Sequence, residues 1–354
     1  MLWWGKRRAP LWARLGVVFG SLLLVPAGGA LVAARAGLAG HSPAQAIPAG
    51  ALNLLLVGID PRGTHIAPLA DTIIVAHIPA DRRAAYLFSL PRDLVVRIPA
   101  FPPTGTPATR GKINGAMALG SRTSTGEYRP AQGYELLART VGDVTGIRRF
   151  DAGAIINFGG FRKVVDVMGG VRMVIDQTVV SEHRKPDGSP RDRLPSCQAH
   201  QKCLRPYTGP QKVYSPSDRP VRLEGWEALD YVRQRYGLPR SDYDRQRHQR
   251  QFLRAVVKRL SQDPGMLLKV AGAAGDSLTF VGGGRTIADW ATALKRIDAN
   301  DMTTVGLPGQ ALFEGGTYRG ERFPVRVGAF FTAVAEGRVA QFLLDHPGMV
   351  TLDR

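Results

Sequence analysis

Hydrophobic residues gather into three runs early in the chain, Leu52 to Ile59, Thr72 to Ile78 and Ala85 to Leu90, the last stopped by Pro91. Runs this short and this continuous predict strands buried on both faces. Helical spacing of apolar positions predicts helices over Tyr134–Val144, Phe161–Met168 and, longest, Asp244 to about Gln262, with a shorter one near Leu223–Val232. Further strands are expected at Ala154–Phe158, Val171–Ile175 and Met302–Leu307. Strands interleaved with helices imply an α/β fold, three α-β-α layers around a central mixed sheet. Glu182 to Arg219 holds several prolines and no periodicity, so it reads as a surface excursion.

Before the first strand, Leu15 to Ala34 carries no charge and is about long enough to cross a bilayer core as a helix at ~1.5 Å per residue. Lys6, Arg7, Arg8 and Arg14 precede it and Arg35 alone follows closely, which keeps the amino terminus cytoplasmic and exports the rest. Trp3, Trp4 and Trp12 suit the interfacial belt. The expected organisation is a cytoplasmic basic segment at 1–14, a transmembrane helix at 15–34, a linker at 35–50 and one extracytoplasmic domain at 51–354. A cleaved signal peptide is the competing reading, since Ala27, Ala30, Ala33 and Ala34 offer small-residue sites.

The 354 residues carry a formal charge of +18, and residues 1–46 hold only five of the basic groups, so the excess is spread along the chain. Nucleic acid is the first partner such a charge suggests. Export argues against it and favours phosphorylated lipid headgroups or anionic wall polymers. Two cysteines occur, Cys197 and Cys203, both inside the excursion. Outside a membrane such a pair closes a small disulfide loop. Zinc, with His183 and His200 as further ligands, is the alternative, but the spacing matches no established finger.

Arginine donates paired hydrogen bonds from a planar fork that stays charged, which suits phosphate. Arg233 and Arg235 lie two apart and cooperate only if the chain is extended there; Gly237 and Pro239 just beyond allow the helix to unwind. On the following helix Arg245, His248, Gln249 and Phe252 fall on one stripe that continues apolar through Val256. Asp60 closes the first apolar run and Asp71 opens the second, so two carboxylates can meet at one sheet edge. A cation between them that also bridges phosphate oxygens would be Mg²⁺, with Mn²⁺ as a substitute. The bland readings are a solvated basic face for the arginines, a turn residue for Asp60 and a cap for Asp71.

Taken together, Asn53 to Arg62, Asp71-Thr72, Ser89 to Asp93, Lys112-Ile113-Asn114, Gly169-Gly170-Val171, Ala228 to Arg235 and Asp244 to Gln251 resemble the LytR-CpsA-Psr family in order and spacing, over roughly residues 52–260. The resemblance implies a membrane-anchored phosphotransferase of the actinobacterial type that moves a glycopolymer from a polyprenyl-pyrophosphate carrier onto peptidoglycan. It implies Asp60 and Asp71 as Mg²⁺ ligands, and Arg92, Arg233, Arg235, Arg245 and Gln249 as the pyrophosphate clamp, with Lys112 as a further basic contact. Arg92, Arg233 and Arg235 would carry the catalysis. Asp93 or Asp71 would take the acceptor's proton, unless Asp93 simply orients Arg92. Phe158, Val164, Met168, Phe252 and Val256 are candidates for an apolar trough holding the lipid tail, although such residues are more often ordinary core.

One departure stands out. The family commonly has Arg-Ser before the second aspartate, and this chain has Leu69-Ala70. Arg62 is a possible replacement for the missing arginine. The departure favours an alternative activity, a membrane-anchored binder of polyprenyl-pyrophosphate glycolipids that transfers nothing; a lipid pyrophosphatase is a third reading.

Overall fold

The computed structural model describes residues 47–61, 66–197, 203, 205–263, 265–297 and 299–353. The expected membrane segment at 15–34, most of the 35–50 linker, Arg62 and His200 lie outside them. No helix among the described residues is long and apolar enough to cross a membrane.

The three apolar runs form the middle of a seven-stranded sheet. Its strands are β1 (Leu52–Ile59), β2 (Ala70–Ile78), β3 (Ala85–Ser89), β4 (Ala152–Asn157), β5 (Leu278–Val281), β6 (Met302–Gly306) and β7 (Thr351–Asp353). Their order is β5-β4-β1-β2-β3-β6-β7. The sheet is mixed: β1 runs antiparallel to β2 and parallel to β4, while β6 runs parallel to β3. The segment expected as a strand at Val171–Ile175 is extended only over Val171–Met173 and pairs with Val221–Leu223, away from the central sheet.

Helices flank the sheet: α1 (Gly115–Ser121), α2 (Pro130–Thr145), α3 (Phe158–Val167), α4 (Gly225–Tyr231), α5 (Asp242–Ser261), α6 (Met266–Ala274), α7 (Ile287–Leu294), α8 (Val327–Ala335) and α9 (Val339–Asp345). Because side chains alternate along a strand, β1 feeds two cores. Leu55, Val57 and Ile59 pack with Met117 of α1, Leu137 of α2, Phe330 of α8 and Phe342 of α9. Leu52, Leu54 and Leu56 join Trp290 of α7 and Leu253 and Val257 of α5 on the other face. Both faces of the sheet are therefore covered by helices.

A third core ties α3, α4, α5 and α6 together through Val165, Tyr231, Phe252 and Val270. Met168 belongs here. It follows the last turn of α3, is 1% exposed and packs within this core. It does not line the apolar cavity that Val164, Phe252 and Val256 of the same core reach, and so drops out of the expected lipid trough. Helices α3 and α4 approach closely where Gly225 donates to Asp166 Oδ1 (2.9 Å), and a Cβ on Gly225 would sit 2.6 Å from the Arg162 carbonyl oxygen. At the other end of α3 the Asn157 carboxamide accepts from the Gly160 amide (2.9 Å) and caps the helix. Asn157→Ala should cost about 1 kcal/mol of stability. Urea unfolding of the variant measures it, and an unchanged midpoint would show that the cap contributes nothing.

Candidate active site

Strands β1 and β4 run parallel and end at one edge of the sheet, and β2 begins there because it returns antiparallel. Carboxyl ends of parallel strands are where open α/β sheets bind ligands. A cavity of about 610 Å³ opens at this edge. Asp60, just past β1, and Asp71, from the start of β2, both line it. Gly58 pairs with Thr72 and Ile59 with Ala70, so Asp71 is the extra residue of a β-bulge. A bulge re-aims a side chain, and here the carboxylate reaches the cavity instead of following the alternation of the strand.

Arg92, Arg233, Arg235, Arg245 and Gln249 line the same cavity. Arg92 sits in the turn after β3 and donates from Nη1 to Asp71 Oδ1 at 2.5 Å. Burial works against its charge, but Asp71, Asp242 and Asp93 outweigh that and hold its pKa above the ordinary value. Helix α4 ends at Tyr231, and the chain beyond it lets both Arg233 and Arg235 face the cavity. Gln234 between them is 1% exposed, accepts from the Glu182 amide (2.9 Å) and donates to Asp230 Oδ1 (2.8 Å). Arg233 Cζ lies over the Phe158 ring, 4.0 Å from its centroid.

Arg245 is pinned by Asp242 Oδ1 (2.7 Å). Burial pulls its guanidinium pKa down, and the charges of Arg92 and Arg235 push the same way against Asp242 and Asp71. The Nε–H groups of Arg92 and Arg245 are buried and donate to no acceptor among the described residues. The cavity thus gathers four guanidinium groups and three carboxylates, Asp60, Asp71 and Glu182, of which Asp71 is bonded to Arg92 and Glu182 to Arg205 (2.9 Å). Such a set fits a polyanion with oxygens to spare.

Along α5 the lining changes from Arg245 and Gln249 to Phe252, Leu253 and Val256. Eleven residues of helix span roughly 16 Å, so the cavity has a charged end and an apolar end. Phe158, Val164, Phe252 and Val256 are four of the five residues read as lipid-contacting, and all four line it. Phe161 stacks on Phe252 with centroids 4.5 Å apart. His248, on the stripe expected to face the site, is fully buried instead; its ring lies 4.5 Å from that of Tyr231, and Nε2 is 3.2 Å from Gln177 Nε2.

Besides Met168, two expected site residues do not line the cavity, Asp93 and Lys112. Arg92 and Asp93 are the central residues of a turn closed by the Leu94 amide on the Pro91 carbonyl (2.9 Å). Asp93 Oδ1 accepts from Lys112 Nζ at 2.7 Å, and Oδ2 lies 3.7 Å from Arg92 Nε. Asp93 is held as an ion-pair partner between Arg92 and Lys112, which is the orienting role for Arg92.

The excursion, read as plain surface, supplies a wall. Glu182, His183, Cys203 and Tyr207 all line the cavity. Cys197 and Cys203 form a disulfide with Cα atoms 5.8 Å apart, which removes both thiols as zinc ligands. The anchor of this wall is Asp230, which accepts from Ser181 Oγ (2.9 Å), Tyr214 OH (3.0 Å) and Gln234. A carboxylate set among Ala228, Leu229 and Tyr231 was the available sequence signal for that anchor. Burial, and then the Arg233 charge, hold the His183 imidazole below its ordinary pKa.

Among the described residues no group of three or more His, Cys, Asp or Glu gathers. Asp60 and Asp71 are the two cavity carboxylates that could hold a divalent ion.

The chain matches the model of the LytR_cpsA_psr family over residues 37–323. Among curated relatives, the cell wall biosynthesis protein LcpA of Corynebacterium glutamicum is 27% identical over 299 residues, 76% of this chain and 52% of LcpA. The polyisoprenyl-teichoic acid–peptidoglycan teichoic acid transferase TagU of Bacillus cereus is 25% identical over 209 residues, 59% of this chain and 52% of TagU. The chain spans about half the length of these relatives. The crystal structure of B. subtilis TagV superposes with a TM-score of 0.55 at 19% identity, covering 82% of this chain and 98% of TagV, which establishes a shared fold.

Proposed function

From the membership of this chain in the LytR_cpsA_psr family, we propose that it transfers a glycopolymer from a polyprenyl-pyrophosphate carrier to peptidoglycan and releases polyprenyl phosphate. The observation that carries the proposal is the convergence of Arg92, Arg233, Arg235 and Arg245 with Asp60 and Asp71 at one end of a cavity whose other end is apolar. A diphosphate joined to a prenyl chain has the same two-part chemistry.

In this reading the guanidinium groups grip the diphosphate oxygens and the apolar end takes the first prenyl units. The acceptor hydroxyl gives up its proton to Asp93 or Asp71 as it attacks the phosphorus that carries the sugar, and the bond from that phosphorus to the bridging oxygen breaks. Charge gathers on the departing polyprenyl phosphate, where Arg233 and Arg235 counter it. Phosphoryl transfer asks mainly for alignment and for fixed positive charge of this kind. Asp60 and Asp71 would hold Mg²⁺ or Mn²⁺, which neutralises phosphate charge when bound. We place the domain on the outer face of the cytoplasmic membrane, carried by the apolar segment at residues 15–34.

The test supplies the purified chain with a polyprenyl-pyrophosphate oligosaccharide, Mg²⁺ and peptidoglycan fragments. Polyprenyl phosphate should appear only when acceptor is present, together with a glycan–peptidoglycan conjugate. Tight donor binding without release would make the protein a binder, the reading that Leu69-Ala70 favours. Release without acceptor would make it a pyrophosphatase.

A further inference from the structure

Beyond the cavity, a two-stranded hairpin, Gln310–Glu314 with Thr317–Arg322, leans against the turn that carries Arg92. The Glu321 amide donates to the Asp93 carbonyl (2.8 Å), and a Cβ on Gly320 would sit 2.3 Å from that same oxygen, so only glycine permits the approach. A second tie comes from α5, where Tyr243 OH donates to Glu321 Oε2 (2.9 Å) two residues before Arg245. The hairpin is thus fixed to two of the three elements that supply cavity-lining arginines, the turn bearing Arg92 and the helix bearing Arg245.

Its outer surface carries two aromatic rings in contact. Phe313 and Tyr318 are cross-strand partners, 60% and 44% exposed, with centroids 5.8 Å apart in an edge-to-face arrangement. Single exposed apolar residues need no explanation. A touching pair does more, because Tyr318 is joined to the cavity by a chain of charges: Lys112 Nζ lies 5.4 Å from the Tyr318 ring and 2.7 Å from Asp93, which in turn faces Arg92. Arg110 and Glu314 form an exposed ion pair beside the rings (2.8 Å). Apolar ring faces bordered by fixed donors and acceptors match a pyranose, which presents an apolar C–H face and an equatorial rim of hydroxyl and amide groups.

We propose that the Phe313–Tyr318 pair is an acceptor subsite that stacks against a sugar ring of a β-linked, N-acetylated glycan strand, with Lys112 and Arg110 bonding its rim. This rests on the transferase reading for its biological sense, but the binding itself does not. The strand would lie across the hairpin and run toward Arg92, so that a hydroxyl further along it meets the diphosphate.

The experiment titrates the 354-residue chain with the β-1,4-linked tetramer of N-acetylglucosamine, followed by saturation-transfer difference NMR and calorimetry. Phe313→Ala and Tyr318→Ala should each weaken binding by about tenfold, the factor one lost aromatic contact allows. Tyr318→Phe, which keeps the ring, should bind within about twofold of the wild type. In the transfer assay Phe313→Ala should raise the half-saturating acceptor concentration by a similar factor and leave that of the donor in place. Wild-type binding by the alanine variants, or no binding by the parent chain, overturns the subsite. So does a fall in melting temperature with unchanged affinity, which would make the pair a staple of the hairpin. Tetramer binding that maps to the hairpin without any acceptor-dependent release supports the subsite while the reaction assignment fails; normal transfer at low acceptor in Phe313→Ala does the reverse.

Discussion

Arg233→Ala should lower turnover of a polyprenyl-diphosphate donor by about 10²–10³-fold, the cost of removing one fixed donor to developing charge. The expectation comes from where Arg233 sits. It lies over Phe158 at the junction of the charged and apolar ends of the cavity, and the carboxylates of Asp60, Asp230 and Asp71 favour its charge against the burial that lowers its pKa. A donor in the cavity would place its bridging oxygen near this junction, where the prenyl phosphate departs. Donor affinity should fall less, by the roughly 1.5–3 kcal/mol of one charge-assisted contact, because the interaction strengthens as charge builds up. Arg233→Lys should not rescue turnover, since an ammonium neither stacks on Phe158 nor presents a planar fork. Rates measured at saturating donor, with binding measured separately, check this; wild-type turnover in Arg233→Ala would remove the residue from the clamp.

Much of this site is legible in the amino-acid sequence, for identifiable reasons. Strands buried on both faces write continuous apolar runs, so β1, β2 and β3 stand out. Helical periodicity alone puts Arg245, Gln249, Phe252 and Val256 on one stripe, whereas the extended segment expected at Arg233 and Arg235 is replaced by a turn, in which the Arg233 and Gln234 amides bond the Asp230 and Tyr231 carbonyls, and both arginines still line the cavity. What escapes depends on geometry that no local pattern records. The turn at Pro91–Leu94 sets Asp93 between Arg92 and Lys112, and Met168, just past α3, is buried. Strands β5 and β7 are four and three residues long, too short to leave a pattern. The excursion reaches the cavity through Asp230 and Ser181, a contact between residues 49 apart. Likewise Arg250, fully inside α5, donates to Asp353 Oδ2 (2.7 Å) from 103 residues away and fixes β7 to the helix that bears Arg245. Pairings of that kind are set by the closed fold and not by neighbours in sequence.

Asp71→Ala should be the more damaging change, at least about 10³-fold in turnover, because it removes two supports at once. The bulge on β2 aims this carboxylate at the cavity, and Arg92 is held there by its 2.5 Å bond to Asp71. Without that partner Arg92 keeps its charge, loses its largest favourable contact and swings toward Asp93, 3.7 Å away. The second loss is the pairing with Asp60 around a divalent ion. Residual activity in Asp71→Ala should therefore no longer respond to added Mg²⁺, and Mn²⁺ followed by electron paramagnetic resonance should bind the parent chain but not the variant. The two supports separate in the comparison with Arg92→Ala, which should keep Mn²⁺ binding while losing turnover. If Asp71→Ala retains both Mn²⁺ binding and Mg²⁺ dependence, the ion is held elsewhere, and Asp71 acts only as the anchor of Arg92. That outcome would leave the cationic clamp intact and move the metal off the sheet edge.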